Sequence, residues 1–189
     1  MAEILLFHHA GGLTPGVTNF ADRLRAAGHT VHTPDLFGGR TFSDVADGVA
    51  YAQEVGDEAL MKLAADAAAA LPADLVYGGM SLGCAVAGQT LFERPGALGA
   101  FFLYGAIDPA WWKATWPPGV PAQAHQAEDD PWREVEADEG FLARVPDGEL
   151  FVYDGVGGHL FVDDDSPEYD EQAAALATER ILAFLAGLG

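Results

Sequence analysis

Short apolar segments alternate with longer helical segments along the whole chain. The apolar segments cover residues 4–7, 30–33, 75–77, 98–104, 120–126 and 150–153. Between and after them the pattern predicts helices near residues 18–27, 43–55, 57–71, 82–92, 133–145 and 167–185. Strands that are apolar throughout, rather than at alternate positions, are typical of parallel sheets with helices on both faces. We therefore predict an α/β protein with a mostly parallel central sheet, whose functional loops follow the carboxyl ends of the strands.

One strand-to-helix junction carries a candidate nucleophile. Ser81 lies in Gly79-Met80-Ser81-Leu82-Gly83, after the apolar residues 75–77 and before a helix of small residues. Gly-x-Ser-x-Gly in this context is the nucleophile elbow, a sharp turn that exposes the serine hydroxyl above the sheet. Glycine tolerates the strained backbone and close packing of such a turn. The alternative is a glycine-rich turn that only packs a helix on the sheet, so partner residues decide between the two.

A serine hydroxyl needs a base, and the chain order of this elbow arrangement is serine, acid, histidine. Of the six histidines, only His125 and His159 follow Ser81. His125 precedes the best acid candidates, whereas His159 follows them in a glycine-rich loop after the strand at 150–153. We therefore predict that His159 is the base, although a single loop histidine is more often a surface residue.

The acid has three candidates, Asp130, Asp129 and Asp108. Glu128, Asp129 and Asp130 follow the predicted strand at 120–126, and Pro131 biases Asp130 towards an extended backbone. An extended Asp130 could orient the imidazole of His159 and stabilise its protonated form. Asp129 is the close alternative and Asp108, after the strand at 98–104, is a distant one.

An acyl-transfer site also needs hydrogen-bond donors for an oxyanion. The Leu82 amide supplies one by the geometry of the elbow, and the loop after the first strand supplies the other. We predict the Ala10 amide for this second donor, with Gly11 as the alternative. Adjacent residues on a strand point to opposite faces, so His8 and His9 are unsuited to holding one metal ion, and we expect no metal.

Together these residues resemble the dienelactone hydrolase family, in a short branch with a serine nucleophile. The resemblance runs nearly end to end. Its segments are residues 8–16, 20–29, 34–41, the elbow, Asp130-Pro131-Trp132, His159-Leu160-Phe161 and residues 166–170. The resemblance implies a three-layer α/β-hydrolase fold, and it favours Asp130 as the acid because the acid of this family precedes a proline and an aromatic residue. It also implies that His159 is the catalytic histidine, since that residue is followed by x-Phe.

The chain departs from the best-known members of the family at three points. Those members use cysteine as nucleophile, whereas the single cysteine here, Cys84, lies three residues after Ser81 and is expected to be a small buried group. They carry a glutamate in the first loop, where this chain has His9. We find no arginine pair to hold the carboxylate of a dienelactone, and Arg40 is the one residue that could act as an anion site. Neutral esters or lactones are therefore the expected substrates.

Composition sets the remaining expectations. The 189 residues predict one domain over 1–189. The chain has 9 Lys and Arg against 29 Asp and Glu, a net charge of −20, which argues against nucleic acid and anionic membranes as partners. No apolar run reaches transmembrane length, and one cysteine rules out an internal disulfide, so we expect a cytoplasmic protein without a cofactor.

The sequence thus predicts a serine hydrolase of small carboxylic esters or lactones that works through an acyl-enzyme. Candidate walls of the substrate pocket are His9, Phe37, Trp132 and Phe161. The tryptophan-rich residues 111–116 would form a lid or a partner surface, as in a homodimer. The alternatives are an acyltransferase or thioesterase with the same triad, and a non-catalytic ligand-binding module on a hydrolase scaffold.

Overall fold

The computed structural model describes residues 1–188, and a six-stranded parallel sheet forms its centre. The strands are β1 (Glu3–Phe7), β2 (Thr30–His32), β3 (Val76–Met80), β4 (Gly99–Leu103), β5 (Ala122–Ala127) and β6 (Gly148–Tyr153). Their spatial order is β2-β1-β3-β4-β5-β6, and each pair of neighbours is parallel. The connection reverses direction between β1 and β3, which is where open parallel sheets bind their ligands.

Helices cover both faces of the sheet. They are α1 (Pro15–Ala26), α2 (Val45–Val55), α3 (Asp57–Ala69), α4 (Leu82–Glu93), α5 (Val135–Arg144) and α6 (Glu171–Gly187). The buried residues of α1 and α6 form one core with one face of the sheet, and those of α2 to α5 form a second core with the other face. The predicted three-layer α/β-hydrolase fold is confirmed. Within the described residues, no helix has the length and apolar character needed to cross a membrane.

Two helices, α1 and α6, begin three or four residues from their predicted starts, because side chains cap them elsewhere. The Thr14 hydroxyl accepts from the Val17 amide, and Pro15 opens α1, so this helix starts three residues early. The Asp170 carboxylate accepts from the Gln172 and Ala173 amides and starts α6 at Glu171 rather than near residue 167.

Strand β5 is fully buried although half of its six residues are polar. Each polar side chain finds a partner on a neighbouring element. Gln123 donates to Glu149, His125 bonds the Tyr153 hydroxyl, and Gln126 donates to Asp138. Burial, aided by the charge of Arg180, lowers the pKa of His125 to about 3, so this histidine is neutral in the folded protein.

Candidate active site

Ser81 occupies a strained turn between β3 and α4. Its backbone has φ 52° and ψ −115°, a conformation that non-glycine residues rarely adopt. The neighbouring strand holds this turn in place, because the Ser81 amide donates to the Leu103 carbonyl at 2.8 Å. The Ser81 carbonyl in turn accepts from the Cys84 amide at 2.7 Å. Such strain persists only where surrounding structure enforces it, and it is typical of functional sites.

The two glycines of the elbow have no room for a side chain. A Cβ atom on Gly79 would overlap the carbonyl of Gly83 and the Cα of Cys84. A Cβ atom on Gly83 would overlap the carbonyl of Phe7, at the end of β1. The glycine at position 83 therefore lets the start of α4 pack directly against the loop that follows β1.

The structure brings Ser81, His159 and Asp130 into one hydrogen-bonded chain. The Ser81 hydroxyl lies 2.7 Å from Nε2 of His159, and Nδ1 of His159 lies 2.6 Å from Oδ2 of Asp130. A carboxylate can only accept, so the Nδ1–H of His159 donates to Asp130 and leaves Nε2 free to accept the serine proton. His159 is 2% exposed and Asp130 7%, so the bond between these two residues is shielded from water.

The local contacts of the three acid candidates separate them. Oδ1 of Asp130 accepts from the Trp132 amide at 2.7 Å, which fixes the carboxylate with its other oxygen on His159. Asp129 is exposed to solvent. Asp108 caps a short 3-10 helix, Pro109–Trp112, and forms an ion pair with Arg144 at 3.0 Å. Of the three, only Asp130 contacts His159.

Contacts with a later segment hold the loop that carries His159. The Leu160 amide donates to the Glu168 carboxylate at 2.9 Å, and Gly158 lies so close to Glu168 that a side chain would overlap its carbonyl. The rings of Tyr104 and Trp132 flank the imidazole, with centroids 5.7 and 6.2 Å away. The position of the imidazole therefore depends on three separate segments of the chain.

The amides of Leu82 and Ala10 are free to bind an oxyanion. Within residues 1–188 neither of them donates a hydrogen bond, whereas the Gly11 amide donates to Nδ1 of His9 at 3.0 Å. Of the two candidates in the first loop, this favours Ala10 over Gly11. Gly48 of α2 packs so tightly on the Ala10 carbonyl that a side chain there would overlap it, which holds this peptide in place.

His9 ties the first loop to the segment after His159. Its Nδ1 accepts from Gly11, so Nε2 carries the proton and donates to Oδ2 of Asp163 at 2.8 Å. Burial alone would raise the pKa of Asp163, but hydrogen bonds from His9, the Asp165 amide and Thr14 together lower it. His9 and Asp163 are each 2% exposed. This buried bond therefore joins the loop of the proposed oxyanion donor to the loop of the histidine.

A cavity of about 290 Å³ opens beside Ser81. It lies between the elbow, the loop after β4, the 3-10 helix and the start of α5. Its lining consists of Ser81, Cys84, Ala85, Tyr104, Gly105, Ala106, Ile107, Trp111, Gln126, Trp132, Glu134, Ala137 and His159. Trp111 and Trp132 are 50% and 46% exposed, so both stand at the open side of the cavity. This volume is at the lower limit of ligand pockets and suits a small substrate.

Of the four predicted pocket walls, only Trp132 lines this cavity. Phe37 is instead buried in an aromatic cluster with His8, Phe42 and Tyr51. Phe161 is fully buried against Tyr104 and Tyr153, and His9 is occupied by Asp163. The prediction for these three residues was wrong, because their rings face the protein interior rather than the cavity.

The tryptophan-rich segment forms part of the cavity wall. Trp112 donates to Gln89 and Trp116 donates to the Val120 carbonyl, and both rings pack on Phe92. These contacts anchor the segment to α4 and leave Trp111 beside the cavity. No local sequence pattern indicated that Trp111, Tyr104, Gln126 and Glu134 would line the site together.

The thiol of Cys84, three residues after Ser81, is expected to be unreactive near neutral pH. It is buried and lies 3.3 Å from the Leu103 carbonyl, to which it donates. Burial raises the pKa of Cys84 far above its usual value, so the reactive thiolate is not populated near neutral pH. Of the two candidate nucleophiles, only Ser81 therefore has a hydrogen bond to a potential base.

Arg40 does not supply an anion site in this structure. Its guanidinium lies over the ring of Tyr51, 4.8 Å from the centroid, and it does not line the cavity. Among the described residues, the cavity lining includes no arginine and no lysine.

The chain belongs to the dienelactone hydrolase family, whose model matches residues 1–188. The family and the fold define the chain as a hydrolase of the α/β-hydrolase fold. A search of curated proteins finds no significant match.

Solved structures share the fold at low sequence identity. A dienelactone hydrolase-like promiscuous phosphotriesterase from metagenomic libraries has a TM-score of 0.77 at 19% identity, covering 100% of this chain and 87% of its own. A dienelactone hydrolase from Anabaena variabilis has a TM-score of 0.70 at 17% identity, covering 99% of this chain and 86% of its own. The thioesterase domain from the curacin biosynthetic pathway has a TM-score of 0.66 at 14% identity, covering 96% of this chain and 90% of its own.

Proposed function

We propose that this protein is a serine hydrolase that cleaves small carboxylic esters or lactones through an acyl-enzyme. The observation that carries the proposal is the continuous chain from the Ser81 hydroxyl through His159 to Asp130, with bonds of 2.7 and 2.6 Å. Such a chain converts a weak hydroxyl nucleophile into an effective one, because the base accepts the proton as the bond to carbon forms.

In the first half of the reaction, the Ser81 oxygen attacks the ester carbonyl while its proton passes to Nε2 of His159. Asp130 stabilises the imidazolium through Nδ1. The free amides of Leu82 and Ala10 donate hydrogen bonds to the negatively charged carbonyl oxygen. One donor of this kind typically lowers the barrier by about 3–4 kcal/mol. The imidazolium then protonates the leaving alkoxide, and the acyl group remains on Ser81.

Water completes the reaction. His159, now neutral, takes a proton from water, which attacks the acyl carbon, and the proton passes to the Ser81 oxygen as the acid leaves. The cavity beside Ser81 is open on the side of Trp111 and Trp132, so water has access to the acyl-enzyme. The same triad would serve a thioester substrate or another acyl acceptor, so thioesterase and acyltransferase activity are the second candidates.

Kinetics with p-nitrophenyl acetate test the proposal. We expect Ser81→Ala to lose turnover by several orders of magnitude while keeping the wild-type circular dichroism spectrum, since members of a triad act as a unit. Cys84→Ala is the matched control, because it removes the other nucleophile of the cavity. Wild-type turnover by Ser81→Ala would contradict the mechanism, and absence of turnover by the wild-type protein on esters and thioesters would favour the binding-module alternative.

A further inference from the structure

The cavity beside Ser81 has an unusual charge balance. Among the described residues that line it, Glu134 is the only aspartate or glutamate, and there is no lysine or arginine. Its carboxylate caps nothing at the start of α5 and forms no ion pair within residues 1–188. The two nearest arginines along the chain are occupied, Arg133 by Asp138 at 2.8 Å and Arg144 by Asp108 at 3.0 Å. A ligand in the cavity therefore meets a negative charge without a compensating positive one.

Two tryptophans line the same cavity as Glu134. Trp111 and Trp132 are about half exposed and together place apolar surface at the opening of the cavity, and contiguous exposed apolar surface often marks a ligand-binding groove. The face of an indole ring carries negative electrostatic potential and attracts cations, most strongly among the aromatic side chains. Aromatic rings and a carboxylate around one small cavity are the groups that recognise a quaternary ammonium or a protonated amine.

Gln126, the buried amide in the lining of the cavity, also favours a cation or a hydrogen-bond donor over an anion. The Nε2 of Gln126 donates to Asp138, which fixes the orientation of the amide, and Gln126 is 1% exposed. The amide oxygen that remains is itself buried and has no hydrogen-bond partner among the described residues. It too attracts positive charge or a donor rather than an anion, because it is a hydrogen-bond acceptor.

We infer that the cavity selects esters that carry a positively charged group on the acyl or the alcohol part. The inference rests on the proposed hydrolase function and adds a substrate class to it. Ser81, Trp111 and Glu134 line one cavity of about 290 Å³, so a small ester bound at Ser81 shares this cavity with the tryptophan and the carboxylate. The net charge of −20 adds long-range attraction for such a cation.

Two pairs of isosteric esters test the inference. Butyrylcholine is compared with 3,3-dimethylbutyl butyrate, and ethyl 4-(trimethylammonio)butyrate with ethyl 5,5-dimethylhexanoate. Each pair differs by a positive nitrogen in place of a carbon, and acid release is followed in a pH-stat at low and high salt. We expect kcat/KM to favour the cation in at least one pair by about tenfold, the scale of a cation–π contact with added charge attraction.

Two charge-matched variants separate a local contact from the general field of the protein. Glu134→Gln should reduce the ratio of cationic to neutral kcat/KM by about fivefold, the effect of one unit charge near 4 Å in water. Glu136→Gln removes the same charge from an exposed position of α5 outside the cavity and should leave the ratio at the wild-type value. Trp111→Leu should also lower the ratio.

Turnover of the neutral esters without preference for the cation in either pair would overturn the inference and leave the hydrolase function standing. An equal effect of Glu134→Gln and Glu136→Gln on the ratio of cationic to neutral kcat/KM would also overturn it. The preference would then come from the net charge of the protein rather than from a contact in the cavity. Absence of turnover on all four esters would contradict the proposed function itself.

Discussion

The bond between His9 and Asp163 yields a prediction about both stability and catalysis. In His9→Ala, the buried Gly11 amide loses its acceptor, and the Asp163 carboxylate loses a donor at 2.8 Å. An unpaired buried donor costs about 1–3 kcal/mol, and a lost hydrogen bond to a charged group costs about 1.5–3 kcal/mol. We therefore expect the free energy of unfolding to fall by about 3–5 kcal/mol.

A double-mutant cycle in urea isolates the bond itself. His9→Ala, Asp163→Ala and the double variant should show a coupling of about 1.5–3 kcal/mol, since either single change already breaks the contact. The bond between His32 and Glu3, at 2.9 Å, provides the matched control. Its side chains are 36% and 31% exposed, so the same cycle there should give at most about 1 kcal/mol.

Kinetics on the same variants test whether His9 positions the oxyanion donor. Because His9 precedes Ala10 and holds the loop through Gly11, His9→Ala should lower kcat by about 100-fold, the scale of one lost oxyanion donor, with a smaller change in KM. Coupling below about 0.5 kcal/mol together with wild-type kcat would refute the reasoning, because the buried bond would then matter neither to the fold nor to the site.

Three further predictions follow from the site and the buried histidines. Asp130→Asn should reduce kcat by about 10⁴-fold with little change in KM, because it favours the wrong histidine tautomer, whereas Asp129→Asn should have little effect; exchanged results would move the acid by one residue. Burial raises the pKa of Cys84, so iodoacetamide should modify it in urea and not in the native protein, and rapid native labelling would contradict this. The pKa values of His8 and His125 are lowered by burial to about 4 and about 3, so the unfolded chain binds more protons below pH 6.5 and stability falls as pH drops. Each histidine should account for about 2 kcal/mol of the free energy of unfolding that is lost between pH 7.5 and pH 5. Urea titrations of His125→Phe should therefore show a smaller loss over this range, and an unchanged loss would contradict the lowered pKa of His125.

The sequence predicted the parts of the site that have local signals. Gly79 and Gly83 mark the elbow because no other residue fits those turns, and the chain order of the fold selects His159. Pro131 favoured Asp130, the candidate acid that the structure places against His159. The alternation of apolar segments with helices was enough for the fold, because each parallel strand needs a crossover to reach the next one.

The walls of the cavity had no such signal. They come from separate segments of the chain, and whether an aromatic ring faces the cavity depends on how those segments pack. Phe161 follows His159 by two residues and Phe37 follows β2, yet both are buried in the core. Trp111 and Glu134 reach the cavity from the 3-10 helix and the start of α5. The partner of His9 lies 154 residues away, and no local pattern connects the two.

Labelling with a fluorophosphonate tests the central claim most directly, because this probe reacts covalently with an activated serine hydroxyl. The account predicts that the wild-type protein gains the mass of one probe, that peptide mapping places it on Ser81, and that His159→Ala and Ser81→Ala are not labelled. Cys84→Ala should label like the wild type. A folded wild-type protein that does not react, or labelling that persists in Ser81→Ala, would contradict the account.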